Sequence, residues 1–233
     1  MSDFLSFASL ILCFVTILLS LRCFGYVGLY VLLCVITICT NIQVLKVTEY
    51  AMWREPLAMG TVIFSSTFAI DGILSEYYSA TIARRGVWIS FIAYLFFALQ
   101  MMLCIAHPAV SNCNASYAQA IELLFQPSIA LFFSSLVSFL CGQLCDVSIY
   151  SFIKQRNIVP SVWLRALISM SIANFIDNAL FSVMAWKVFC VQEVSWDMLW
   201  HTYICGTYVF RLVIALLCVP IVRIAGFFVN RGG

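Results

Sequence analysis

Apolar runs long enough to cross a lipid bilayer follow one another along this chain, and four acidic residues, Asp71, Glu76, Asp146 and Asp177, lie inside them or at their ends. A carboxylate in the middle of a membrane helix costs at least ~2.5 to 3.5 kcal/mol on insertion scales, so acids retained there usually face a polar cavity, an ion path or a substrate. The pattern predicts a polytopic membrane protein with a polar site buried between its helices. Composition points the same way. With 64% hydrophobic and 9% charged residues and a mean hydropathy of +1.05, the chain cannot build a water-soluble surface. A net charge of +2, spread rather than clustered, speaks against a nucleic-acid partner or a polybasic lipid switch. The lipid bilayer is the expected partner.

A bilayer core takes roughly 20 apolar residues per helix, and the chain divides into seven such runs, near 4–21, 25–45, 57–76, 87–106, 128–150, 163–185 and 199–222. The expected fold is an all-α bundle of six to seven transmembrane helices, forming one domain over residues 1–233. Six spans would remain if the first two runs formed a re-entrant pair. Most connections are short; only 107–127 has room for a surface element, with Glu122 to Pro127 as a short interfacial helix. The first run has no basic segment before it and no small-x-small cleavage pattern, so it is expected to be a span rather than a removed signal.

Arg22, Arg84, Arg85, Lys154, Arg156, Arg223 and Arg231 fall on one side of the predicted bilayer, against Lys46, Arg54 and Lys187 on the other. The positive-inside rule then places the N-terminus outside and the C-terminus in the cytoplasm. Cys113 and Cys190 share the external side, where a disulfide is permitted, although two free thiols are expected. The sequon Asn114-Ala115-Ser116, on that side too, is too short a pattern to argue from. The remaining cysteines lie mostly in apolar runs, where a thiol behaves as a small hydrophobe. With no CxxC and no Cys/His cluster, no metal site or cofactor is expected; Cys141 and Cys145, four apart, lack further ligands.

Helical spacing sorts the polar residues. Asp71 and Glu76 are five apart and point in well-separated directions. Glu76, near a helix end, is expected to pair with Arg84 or Arg85 or to meet substrate. Gln143, Asp146 and Tyr150 share one face of the fifth run, and Ser171, Asn174, Asp177 and Asn178 stripe the sixth. Helix-to-helix hydrogen bonding is the bland account of such a stripe, but packing rarely needs two amides and an acid within five residues. Arg211, near the middle of the last run, needs a partner, with Asp177 and Asp71 as candidates; Arg165 can snorkel to the interface. Asp71 precedes Trp88 by the interval at which Asp146 precedes Trp163, which any pair of hairpins with interfacial aromatics would also show. HExxH, GxSxG and a phosphate-binding glycine loop are all missing, so an enzyme is not expected.

Three segments together resemble the queuosine-precursor transporter family, also called the vitamin uptake transporter family. They are Asp71-Gly72-Ile73-Leu74-Ser75-Glu76-Tyr77-Tyr78 running to Ala83-Arg84; Gly142-Gln143-Leu144-Cys145-Asp146-Val147; and Trp163-Leu164-Arg165 followed by Ser169, Asn174, Asp177 and Phe181. The resemblance covers most of 41–186 and has departures: Ser79 stands for the family's Gly, Ala166 for Asn, Asn174 for Gln, Asn178 for Thr and Ser65 for Pro. It implies import of a 7-deazaguanine, such as 7-cyano-7-deazaguanine, its aminomethyl form or queuine, across the inner membrane to supply queuosine in tRNA. A guanine-like ring presents an N1–H and an exocyclic amine side by side, which a carboxylate accepts together, while amides read the neighbouring carbonyl and aromatic rings stack on the faces.

On that basis Asp71, Asp146 and Asp177 are expected as base-edge or cation ligands, with Gln143, Asn174 and Asn178 as amide contacts. Glu76, Arg84, Arg165 and Arg211 are expected as gate or structural pairs. A ligand-capture subunit of an ATP-driven importer and an intramembrane enzyme stand as alternatives, and the coupling ion or energising module is open.

Overall fold

Helix α1 (Ser2–Gln43) is interrupted once, at Gly25, whose φ of 58° and ψ of −143° are not helical and belong to a region that L side chains rarely adopt. The chain reverses there, so that Cys13 of the first arm lies within electrostatic reach of Cys39 of the second. The two runs expected at 4–21 and 25–45 are therefore two arms of one helical hairpin. This computed structural model describes residues 2–50, 53–108, 115–125, 129–189 and 194–229. Cys113, Cys190, Asn114 and Arg231, on which several sequence expectations rest, lie outside the described residues. The described cysteines are free thiols.

After the second arm comes an antiparallel hairpin of β1 (Val47–Tyr50) and β2 (Trp53–Ala58), with Val47 opposite Ala58 and Thr48 opposite Leu57. The sequence reading left this segment as a connection. Helix α2 (Gly60–Tyr77) follows, then α3 (Ala80–Ala106), α4 (Ala115–Phe125), α5 (Ile129–Gln155) and α6 (Val162–Val183). α6 widens into a π-helical turn at Met184–Val188, and α7 (Trp196–Met198) leads through a second π-helical stretch, Leu199–Gly206, into α8 (Thr207–Ala225). α4 is longer and begins earlier than the expected Glu122–Pro127 element: Ala115, Ala118, Gln119, Ala120, Glu122 and the two leucines are strong helix formers. Its Phe125 ring stacks on Phe132 of α5 at 5.8 Å.

α2 is the axis of the bundle. Every residue from Val62 to Ser75 is buried, enclosed by α1, α3, α5, α6 and α8. A helix sheathed by protein on all sides need not be apolar all round, and α2 carries Ser65, Ser66, Thr67 and Asp71. All three hydroxyls bond back to their own helix, Ser65 Oγ to the Thr61 carbonyl at 3.3 Å, Ser66 Oγ to that of Ile63 at 2.5 Å and Thr67 Oγ1 to that of Phe64 at 2.7 Å, which hides their polarity locally. Five other segments among the described residues are long and apolar enough to cross a membrane: Asp3–Gln43, Ala80–Ala106, Leu131–Gln155, Val162–Val188 and Trp196–Ala225. Their outward faces are apolar, as at Phe96, Leu103, Phe152 and Leu216. The protein is a multi-pass membrane protein, and the architecture is the all-α bundle expected.

α5 and α6 approach closely at Gly142, where a Cβ would fall 2.9 Å from Cβ of Asp177. Neither backbone can move without disturbing the polar residues that flank the contact. Gly142→Val is expected to destabilise the protein by about 1–3 kcal/mol through overpacking, read as a lower thermal midpoint in detergent; an unchanged midpoint would show that the two helices can separate there freely.

Candidate functional site

The polar side chains of α2 and α5 meet in three rungs. These helices run side by side in the same direction, and the middle rung joins Asp71 to Asp146, which are 75 positions apart in the sequence. Trp88 and Trp163 are separated by that same offset and both stand half-exposed on α3 and α6. One rung lies a turn before the acids, where Gln143 Nε2 donates to Thr67 Oγ1 at 2.5 Å. The third lies a turn beyond, where the Tyr150 hydroxyl donates to Glu76 Oε2 at 2.8 Å. Only the middle rung has no hydrogen bond across it.

The three rungs differ in how their charges are met. Glu76 is held by Arg165, whose Nη2 sits 2.8 Å from Oε1, and more loosely by Lys154, 3.7 Å from Oε2. The remaining arm of Arg165 donates to the carbonyls of Val159 and Pro160 at 3.1 and 3.3 Å, tying the α5–α6 connection to the pair. Lys154 also donates to the carbonyl of Ser75 at 3.0 Å and to that of Glu76. These are terminal carbonyls of α2, where a cation is favourable. The expected partners of Glu76, Arg84 and Arg85, are not the ones used. Ser79 caps α3 by accepting from the Ile82 amide at 3.2 Å, and the new helix carries Arg84 to Ser148 of α5, its Nη2 3.5 Å from Oγ. Arg165 does not snorkel; it is 7% exposed and enters the bundle.

Toward the opposite end, Arg211 of α8 pairs with Asp177 of α6, its Nη1 donating to Oδ2. The guanidinium lies over the Phe64 ring at 5.6 Å from the centroid, a cation–π arrangement. This decides between the two candidates for Arg211 in favour of Asp177. The pair borders a cleft with about 430 Å³ of empty space, lined also by Asn41, Thr61, Ser138 and Phe181. Asn178 has a different task. Its Nδ2 donates to the Ile204 carbonyl at 2.8 Å and its Oδ1 accepts from Thr207 Oγ1 at 3.0 Å. A π-helical stretch displaces backbone carbonyls from regular pairing, and Asn178 bonds two successive carbonyls of that stretch, that of Tyr203 at 3.4 Å. Its amide is thus occupied at the α6–α8 interface.

Between the two ion-paired layers lies a layer of buried polar atoms that the protein leaves without partners. Both carboxylate oxygens of Asp71, both of Asp146, both amide atoms of Asn174 and Oε1 of Gln143 have no hydrogen-bond partner among the described residues. All four residues are 0% exposed. Ser169, on α6, lies beside Asp146, with its hydroxyl donating to the Ala166 carbonyl at 3.2 Å. Met170, one turn from Asn174, reaches Gly72 of α2, its Cε 3.6 Å from the glycine's Cβ position, which sets Asn174 level with the turn of α2 that precedes Asp71. An unpaired buried polar atom costs about 1–3 kcal/mol, and more than 90% of such atoms in proteins are paired. Seven such atoms, six of them acceptors, lie together on three adjoining helices. Thr67 and Lys154 were missed by sequence reasoning; the first stands one turn before Asp71, the only signal available for it.

A multi-pass helical bundle with an unmatched polar layer closed off from both ends by ion pairs has the construction of a membrane transporter. A family model described as "Putative vitamin uptake transporter" matches residues 58–225, and the chain belongs to that family. It is also 30% identical over 212 residues, 89% of this chain and 87% of the relative, to a "Probable queuosine precursor transporter" of Bacillus subtilis (strain 168). No solved structure matches the chain at a significant level. Family and relative are transporters, in agreement with the expectation that this is not an enzyme.

Proposed function

We propose that this protein imports a queuosine precursor, a 7-deazaguanine such as 7-cyano-7-deazaguanine, its aminomethyl form or queuine, across the inner membrane. The observation that carries this reading is the unpartnered layer of Asp71, Gln143, Asp146 and Asn174, in a chain whose relative is named for queuosine-precursor transport. A carboxylate accepts the adjacent N1–H and exocyclic amine of a guanine-like edge, and an amide matches the neighbouring carbonyl. Acceptors predominate in the layer, and this edge is rich in donors.

In this scheme Asp177 and Arg211 form the gate on the external side and Glu76, Arg165, Tyr150 and Lys154 the gate on the cytoplasmic side. The N-terminus is then outside and the C-terminus inside, following the bias of basic residues. Arg84, bonded to Ser148, supports the cytoplasmic end from outside the pair. The test is uptake of labelled 7-cyano-7-deazaguanine by a host unable to make queuosine precursors. Expression of this chain is expected to restore label in the cell and queuosine in tRNA, with competition from the other two bases setting their order. A host that regains neither would overturn the proposal.

A further inference from the structure

The geometry points to a proton-binding site at the Asp71–Asp146 pair, which we propose carries one proton inward with each substrate molecule; this rests on the substrate reading given above. The two carboxylates interact across the α2–α5 contact and both are wholly buried. Among the described residues no cation reaches either carboxylate: Arg211 of α8 is committed to Asp177, Arg165 of α6 and Lys154 of α5 to Glu76, and Arg84 of α3 to Ser148. The titratable groups nearest in sequence or element to the pair include Cys145 beside Asp146 and Cys141 and Tyr150 on α5, Tyr77 on α2, Cys218 on α8 and Cys13 on α1, and Tyr94 on α3, which packs on Phe132 at 5.9 Å. None of these is a cation at neutral pH.

Two wholly buried carboxylates within electrostatic reach of one another and of no cation cannot both remain ionised, so one of them holds a proton. Gln143 Oε1 and the Asn174 amide, also buried and unpartnered, are further polar atoms that a ligand in the same layer would satisfy. A neutral base supplies hydrogen-bond donors but no positive charge. One carboxylate can accept from its donor edge, while the other, protonated, donates to the base's carbonyl. The proton enters as COO⁻ becomes COOH and leaves to water on the cytoplasmic side when COOH returns to COO⁻; no bond of the substrate changes.

A sodium ion is disfavoured by the backbone. Sodium sites in transporters draw on carbonyls freed by unwound helices, whereas α2 and α5 run through the layer as uninterrupted α-helix.

Two measurements on the purified full-length protein in nanodiscs test this. Infrared spectra of the ligand-free protein at neutral pH should contain a protonated-carboxyl band that the double variant Asp71→Asn, Asp146→Asn loses; a wild-type spectrum without that band overturns the proposal. In weakly buffered alkaline medium, saturable binding of 7-cyano-7-deazaguanine should take up about one proton per ligand. Saturable binding with no proton uptake, or binding that requires sodium, overturns the proton site and leaves the substrate reading standing. Absence of saturable binding overturns the substrate reading and the co-transport with it, while the infrared result still decides whether the pair holds a proton.

Discussion

Of Asp71→Leu and Asp146→Leu, the change at the acid that accepts the donor edge is expected to weaken binding of 7-cyano-7-deazaguanine by at least about 100-fold and the change at the other by about tenfold, each leaving the thermal midpoint of the protein unchanged or raised. The two halves of this result have different origins. Hydrogen bonds to a charged group are worth about 1.5–3 kcal/mol each, and a carboxylate on a guanine-like edge makes two, so its removal costs at least about 3 kcal/mol of affinity. Folding loses nothing comparable, because among the described residues neither acid has an ion-pair partner, and the one polar neighbour, Ser169 beside Asp146, is turned to a backbone carbonyl. Replacing buried ionisable groups by apolar ones of similar volume is often neutral or stabilising. Equilibrium binding of the labelled base, measured beside thermal unfolding in detergent, reads both quantities. A variant that binds normally but unfolds early would make these acids structural and remove them from the site.

The opposite signature is expected at the Arg211–Asp177 pair. Arg211→Met leaves Asp177, 4% exposed at the side chain, as a buried charge without its partner, and should destabilise the protein by about 3–5 kcal/mol. Combining it with Asp177→Leu should recover most of that loss, since the pair is then removed as a unit. Thermal or denaturant unfolding of the two single variants and the double variant gives the coupling directly. Ligand binding by the double variant settles the chemistry of Asp177. Retained binding assigns it to the ion pair alone, whereas loss of binding in a folded double variant returns it to the ligand set. Near-additive effects of the two single changes would show that the pair contributes little.

The separation of the acids explains how far sequence reasoning reaches. Asp71, Asp146, Gln143 and Asn174 were legible as polar residues misplaced in apolar helices, because the mismatch between residue and surroundings is itself a local signal. The partner of Glu76 was not legible. Arg84 and Arg85 are near it in sequence, but the cap at Ser79 starts a helix that carries Arg84 to Ser148, while Arg165 arrives from α6, 89 positions away. Asn178 shows the reverse. Its place in the polar stripe of α6 suggested a ligand, and the π-helical Leu199–Gly206 stretch, which leaves no hydropathy signature, supplies carbonyls for its amide.

By itself the sequence determined that the chain lives in a bilayer, that its helices follow the hydropathy runs, and that four acids within them need an explanation, because the cost of polar groups in lipid acts residue by residue. Which acids are neutralised was decided only by tertiary structure. Neutralisation depends on distances between side chains on different helices: Arg165 and Lys154 meet Glu76, Arg211 meets Asp177, and no basic residue reaches Asp71 or Asp146. Helix packing thus separates two ion pairs at the ends from one unmatched pair in the middle, where a ligand and a proton can take the place of the missing partners.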